Sequence, residues 1–487
     1  MATSPSPPTT DAGLARALTA PGLVCIGLGA TIGAGIFVLT GTTAAHYAGP
    51  GLILSFVIGG LVSGLVGLCY AELAAMIPEA GSTYAYTRVS LGLLPAWLVG
   101  WDLVLEFAFA AATVAAGWSG YARSLLADFG LHLPPALCAA PGAGGVIDLP
   151  AAGIVLALTV LLTRGVREAS RVNTALVALK IAIILAFVGL GAIFVNPTLW
   201  QPFVPENTGD FGHFGASGVV RGAAVVFFAF IGFETVSTAA GECRDPQADA
   251  PVGLIGSLLL STLLYVAVAA VLTGLVPYRD LDVPDPIAKA VEVIGYPNFS
   301  LFVKIGALVG LTTSTLTALY GQGRIFYALA RDRLLPDTFA QLNATTRVPA
   351  VSQWTIGLCT AVVAGLVPID VLGELVSIGT LLAFGLVCAT VPILRRRQPD
   401  RHRPFRVPAA DLVAGLGLLA CAVLMASLPP ETWIRLALWL GIGLAIFYGY
   451  GRRRAQGSDT STDTPAAPHD PPIPGTAPPP TSGPPHR

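Results

Sequence analysis

Twelve stretches of the chain are apolar enough, over enough residues, to cross a lipid bilayer, and no other feature restricts the fold as much. A spanning helix needs about 20 mostly apolar residues. The stretches lie at about residues 22–45, 50–76, 93–122, 149–166, 172–195, 217–240, 252–276, 299–329, 350–367, 371–394, 411–428 and 432–450. Hydrocarbon offers no water to backbone N–H and C=O groups, so each stretch must pair its own as a helix. The expectation is an all-α polytopic membrane protein. Composition agrees: 54% of residues are hydrophobic, 11% are charged and the mean hydropathy is +0.72, whereas about a quarter of a soluble domain is charged.

The positions of the cations orient the chain. One boundary of the membrane receives Arg16, Arg88, Arg164, Arg167, Arg171, Arg244, Arg324, Arg331, Arg333, Arg347, the run from Arg395 to Arg406 and Arg452 to Arg454. The other has Arg123, Arg221, Arg279, Lys289, Lys304 and Arg435. Short cytoplasmic loops carry the excess of Lys and Arg. Both termini are therefore expected in the cytoplasm, as an even number of spans requires. Residues 1–20 lack a basic region before a short apolar core, which argues against a cleaved signal peptide. From residue 451 to 487 the chain turns to Pro, Ser, Thr and Asp and is expected to be a disordered cytoplasmic tail.

Several functions lose their usual support. The net charge is -1 and no basic patch with interleaved aromatics is present, so nucleic acid is not expected as a partner. Seven cysteines stand singly and read as small apolar residues, and neither His-x-x-x-His nor Gly-x-Ser-x-Gly occurs. No cofactor, metal site or enzymatic activity is expected.

Two stretches interrupt the apolar helices. Gly27 to Gly35 places four glycines inside the first span. Each costs a helix interior roughly 1 kcal/mol relative to alanine, so the helix can open there and free N–H groups for an anion. Close helix packing is the other reading of the same pattern. A second unusual centre, Phe227 to Thr235, opens the sixth span about 200 residues later. Each begins a block of five spans, at 21–195 and 217–394, and an odd number of spans gives the blocks opposite orientation. The pair at 411–450 is then peripheral.

Ionisable groups inside spans are costly and are candidates for function. Lys180, one of three lysines, sits about nine residues into the fifth span, roughly 13 Å deep at the helical rise. Two roles are open to it: an amine held out of water that takes and releases a proton, or a permanent cation bonded to carbonyls of a broken helix. Asp102 and Glu106 share one face of the third span. Asp102 is expected at the interface, and Glu106 either faces a substrate cavity or stays protonated in a hydrogen-bonded network. Glu234 follows the second break and is expected to tie the unwound segment to its neighbours. Glu72 and Glu79 are expected to be interfacial or gate residues.

Several motifs occur in order along the chain: Gly-Ala-Thr-Ile-Gly-Ala-Gly-Ile-Phe from Gly29, Cys-Tyr-Ala-Glu-Leu from Cys69, Pro-Glu-Ala-Gly-Ser-Thr-Tyr from Pro78 and Gly-Trp-Asp-Leu-Val-Leu-Glu from Gly100. With these the chain resembles amino-acid permeases of the amino acid, polyamine and organocation superfamily. Phe230-Ile-Gly-Phe-Glu234, Gly321-Gln-Gly-Arg324, Ala330-Arg-Asp332 and Arg403-Pro-Phe-Arg406 resemble its cationic amino-acid transporter branch, bacterial members included. The resemblance implies a LeuT-type fold of twelve spans with a 5+5 inverted repeat. It implies import of a cationic or small neutral amino acid across the bacterial cytoplasmic membrane. By motif position, the substrate carboxylate would meet N–H groups of Gly33, Ala34 and Gly35, and its ammonium the carbonyls of Thr31, Phe228, Ala229 and Ile231. Its side chain would point toward Phe228, Phe233, Glu106, Ser314 and Ala318. Lys180 matches the lysine of proton-coupled relatives, which implies proton symport, with exchange, polyamine transport or a non-transporting sensor as alternatives.

Overall fold

The first apolar stretch does not form one helix. In the computed structural model, which describes residues 19–77, 82–164, 170–239, 243, 245–343, 348–452 and 454, it runs as α1 (Ala20–Thr31), stops at Ile32 and Gly33, and resumes as α2 (Ala34–Phe37) and α3 (Leu39–Thr43). There follow α4 (Leu52–Met76), α5 (Ser82–Leu91), α6 (Leu93–Asp128), α7 (Leu149–Thr163) and α8 (Ser170–Ala192). The sixth stretch is also divided, into α9 (Gly215–Val226), a 3-10 turn over Phe227–Phe230 and α10 (Thr235–Ala239). The remainder is α11 (Pro246–Leu275), α12 (Pro286–Val293), α13 (Pro297–Arg331), α14 (Ala350–Leu366), α15 (Ile369–Arg397), α16 (Ala410–Ser427) and α17 (Pro430–Ile446). The segment up to residue 18, Glu79 and the tail from residue 455 lie outside the described residues.

Among the described residues nine helical stretches are long and apolar enough to cross a membrane, and three shorter apolar helices, α1, α7 and α14, stand beside them. This is an all-α polytopic membrane protein. Side-chain caps fix some of the starts: the Asp148 carboxylate accepts the Ala151 N–H at 3.0 Å and opens α7, and Asp245 does the same for α11. The two longest helices, α6 and α13, pack on each other, with α15 also against α6 and both α1 and α4 against α11. Gly27 belongs to that last contact, since a Cβ there would come within 2.5 Å of the Ser257 Cβ.

Ion pairs close the ends of the bundle. Glu72 is 1% exposed. The Arg395 guanidinium donates to both its oxygens, at 3.0 and 2.6 Å, the Val407 N–H donates at 2.8 Å, and Arg403 Nε lies 3.6 Å away. Arg403 also donates to the carbonyls of Leu394, Gln398, Pro399 and Arg401, so it pins the chain beyond α15. The sequence hides this because the partners are more than 300 residues apart. Nearby, Asp332 accepts from Arg88 and, at 2.6 Å, from the Tyr84 hydroxyl, which ties α5 to the end of α13. At the opposite end Lys304 donates to Asp128 at 2.7 Å and Glu292 at 2.8 Å, which joins α12 to α6 and α13. Losing one partner of a buried pair costs about 3–5 kcal/mol. With Arg395 partly exposed, Glu72→Ala should fall near the low end of that range. A clear drop in the thermal unfolding temperature in detergent checks it, and an unchanged midpoint would contradict the clamp.

Candidate functional site

The two interrupted helices meet. Gly35 of α2 lies directly on the 3-10 turn, so closely that a Cβ on it would stand 2.4 Å from the Ala229 Cα. The second break turns at Gly232, whose φ of 112° suits glycine and whose position against the Ala30 backbone leaves no room for a side chain. Side chains from elsewhere hold the second break and the end of α2. The Tyr265 hydroxyl donates to the Ala229 carbonyl at 2.8 Å, and the Tyr121 hydroxyl to the Phe37 carbonyl at 2.9 Å. The Glu234 carboxylate accepts the Gly232 N–H at 2.9 Å, so it ties the unwound segment to itself.

Lys180 reaches the first break from α8. Its Nζ, almost fully buried, donates to the Ile32 carbonyl at 3.2 Å, the Gly29 carbonyl at 3.4 Å and the Ser314 hydroxyl at 3.1 Å. Ile32 and Gly29 carry carbonyls released where α1 ends. An ammonium there satisfies them and links α1, α8 and α13 at a single point.

Between the breaks lies a cavity. Its wall includes Thr31, Gly33 and Ala34 from the first interruption, Phe228 and Ile231 from the second, Glu106 from α6, and Ser314 and Ala318 from α13. These eight expected site residues are brought together. Three others stand elsewhere: Gly35 and Ala229 form the crossing behind the wall, and Phe233 packs on Tyr70 and Phe384, with ring centroids 5.5 and 5.2 Å away. The wall also holds Phe107, Ala110, Val114, Glu234 and Thr317, which the sequence reading left out. Ala110 and Val114 lie one and two turns beyond Glu106, and Thr317 lies one turn beyond Ser314, so helical periodicity was the signal that pointed to them.

The wall is mainly apolar, with carboxyl groups at one end. Glu106 is 1% exposed and hydrogen-bonds Thr380, its Oε2 has no partner, and Glu234 is within electrostatic reach of it. Asp102 is buried to 1% exposure, and α15 packs on α6 there, with Gly379 against the Asp102 carboxyl. The cavity is closed on one side. Residues 31–41 are all buried, with Val38 against Gly117 and Gly41 against Leu281 and Pro286, whereas Pro21 and Cys25 of α1 and Thr317 of α13 are exposed. Among the described residues no group of His, Cys, Asp and Glu side chains is arranged to hold a metal ion.

This arrangement presents backbone dipoles and a few polar groups around an apolar space, which suits a small molecule with a charged backbone and an apolar side chain. Comparison with known families decides which class of protein it is, because the family model described as amino acid permease matches residues 18–447. The chain belongs to the amino acid permease family. The permease is a membrane transporter and not an enzyme. It is 44% identical over 444 residues to the methylthioribose transporter of Bacillus subtilis (strain 168), covering 91% of this chain and 95% of the relative. It is also 44% identical over 448 residues to the branched-chain amino acid permease BcaP of the same organism, covering 91% and 94%. A vacuolar cationic amino acid transporter 2 of Arabidopsis thaliana is 40% identical over 390 residues, 80% of this chain and 61% of the relative. The permease is thus related to several branches of the superfamily.

Proposed function

We propose that the permease imports neutral, aliphatic amino acids by alternating access, coupled to protons. The observation that carries this reading is the cavity between the two helix breaks, whose side-chain end is lined by Phe107, Ala110, Val114 and Ala318. The substrate carboxylate would lie against the N–H groups of Gly33 and Ala34, with Gly35 behind them, ahead of the first hydrogen bond of α2, which Ile36 donates to the Gly33 carbonyl at 3.2 Å. The ammonium would lie toward Thr31, Phe228 and Ile231. Two relatives of equal similarity support a neutral substrate, one named for branched-chain amino acids and one for methylthioribose.

The architecture that goes with this is a LeuT-type 5+5 inverted repeat of twelve spans, with blocks at 21–195 and 217–394 and a peripheral pair at 411–450. The arginine-rich side is cytoplasmic, both termini with it, and the protein sits in the cytoplasmic membrane. Lys180 is the proton-coupling group, because it bridges the broken helix to α13 and its charge decides whether that bridge holds.

A second reading, transport of cationic amino acids as in the cationic amino-acid transporter branch, is favoured by the unpartnered Glu106 Oε2 in the cavity wall. One panel separates the two. Uptake of labelled leucine into proteoliposomes should be suppressed by unlabelled valine, isoleucine and leucine, less by alanine, and little by arginine or lysine; methylthioribose belongs in the same panel. Arginine competing better than leucine would sink the neutral reading in favour of the second.

A further inference from the structure

Asp102 stands apart from the cavity, yet among the described residues it is the least compensated buried acid. Neither of its carboxyl oxygens has a hydrogen-bond partner, and the residue is 1% exposed. It fits between α6 and α15 because residue 379 is glycine: a Cβ there would stand 3.0 Å from Asp102 Oδ1. The next residue of α15, Thr380, hydrogen-bonds Glu106, so two consecutive residues of one helix face the two acids of the other.

Several charges on the surrounding elements are engaged elsewhere. On α15, Glu374 accepts from Thr432 and Arg395 is paired with Glu72. On α5, Arg88 and Tyr84 are bound to Asp332. On α13, Arg324 covers the Tyr320 ring, and Gln322 donates to the Val104 carbonyl at 3.3 Å while its own Oε1 stays unpartnered. The pieces of α7 and α14 that pack on α6 carry no charged side chain, and α17 reaches α6 through Trp439, which donates to the Trp101 carbonyl. Among the described residues, Glu106 is the titratable group that interacts electrostatically with Asp102.

A carboxylate at this place would hold a full charge with no donor beside it, which is strongly unfavourable. The neutral acid avoids that, for as long as the seam between α6 and α15 stays dry. We propose that Asp102 is a second proton site of the transport cycle, protonated while α6 and α15 are closed over it and releasing its proton when water enters the seam. In the release step the carboxyl O–H bond breaks and a water molecule takes the proton, giving carboxylate and hydronium; on closure the reverse occurs. This rests on the proton-coupled reading and adds one proton per cycle to the one at Lys180.

The test is steady-state accumulation of leucine in proteoliposomes holding the full-length protein, with the membrane potential clamped at zero. Each coupled proton supports about a tenfold accumulation per pH unit of gradient. Wild type should therefore approach about a hundredfold at one pH unit, and Asp102→Asn about tenfold. Counterflow exchange by the variant, which needs no net proton movement, should stay within about twofold of wild type, and its net uptake should lose a step in its pH profile. Asparagine has the shape of the neutral acid, so the variant must also fold with an unchanged unfolding midpoint. Equal accumulation by the two proteins, exchange lost together with accumulation, or a variant that does not fold would each overturn the assignment of Asp102. Wild type that shows no gradient-driven accumulation at all would overturn the coupling reading beneath it, a result distinct from the other three.

Discussion

Alanine in place of Gly35 should lower uptake by about a hundredfold, the order expected when reacting or binding groups are displaced by about an ångström. A Cβ at this position would come within 2.4 Å of the Ala229 Cα, 2.5 Å of its Cβ and 2.9 Å of its backbone N. Two of these are backbone atoms and the third is a Cβ, so none can be relieved by a rotamer change. The second piece of the first interrupted helix, α2, would have to move off the 3-10 turn. Because Gly33 and Ala34 precede it in the cavity wall and Phe228 and Ile231 flank the turn, that movement separates the two halves of the site. Overpacking of this kind also costs roughly 1–3 kcal/mol of stability. The measurement is initial uptake rate normalised to correctly folded protein. Gly64→Ala is the control, since a Cβ there meets nothing within 4 Å and uptake should be unchanged. Wild-type uptake by the Gly35 variant would contradict the proposed crossing of the breaks.

The second large effect is expected at Lys180. Removing its amine leaves the Ile32 and Gly29 carbonyls without their donor and Ser314 without its bridge. An unsatisfied buried carbonyl costs about 1–3 kcal/mol, and the break in the first helix loses its tie to α8 and α13. Lys180→Ala should therefore abolish gradient-driven accumulation. The proton taken up at Asp102 would still turn over, but nothing would link it to the substrate site. Residual exchange is compatible with this, because exchange needs only a site that opens and closes. Unchanged accumulation by the variant would remove Lys180 from the coupling step.

Much of this site was legible in the sequence because membrane helices tolerate interruption only for a reason. Four glycines in nine residues and the Phe227–Thr235 segment marked both breaks, and a lysine deep in an apolar run marked the third component. What stayed hidden was rotation about the helix axes. Helices that are apolar on every side carry no periodic signal for the buried face. Phe233 was expected in the cavity and turns to Tyr70 and Phe384 instead, and nothing in the sequence pointed to α15 as the cover of Asp102. The short helices α5 and α12 escaped notice for the opposite reason, being too polar to register as spans. Yet they supply Tyr84, Arg88 and Glu292 to the ion pairs that close the two ends. Long-range partners such as Glu72 and Arg395 become apparent only when the helices are assembled.

The most direct test of the central claim is leucine accumulation by the purified wild-type protein in liposomes, with an imposed pH gradient and without one. The account predicts concentrative uptake when the outside is acidic, and only equilibration when the gradient is absent. Equilibration alone under both conditions would contradict proton coupling, and no uptake of any amino acid under either condition would contradict transport itself.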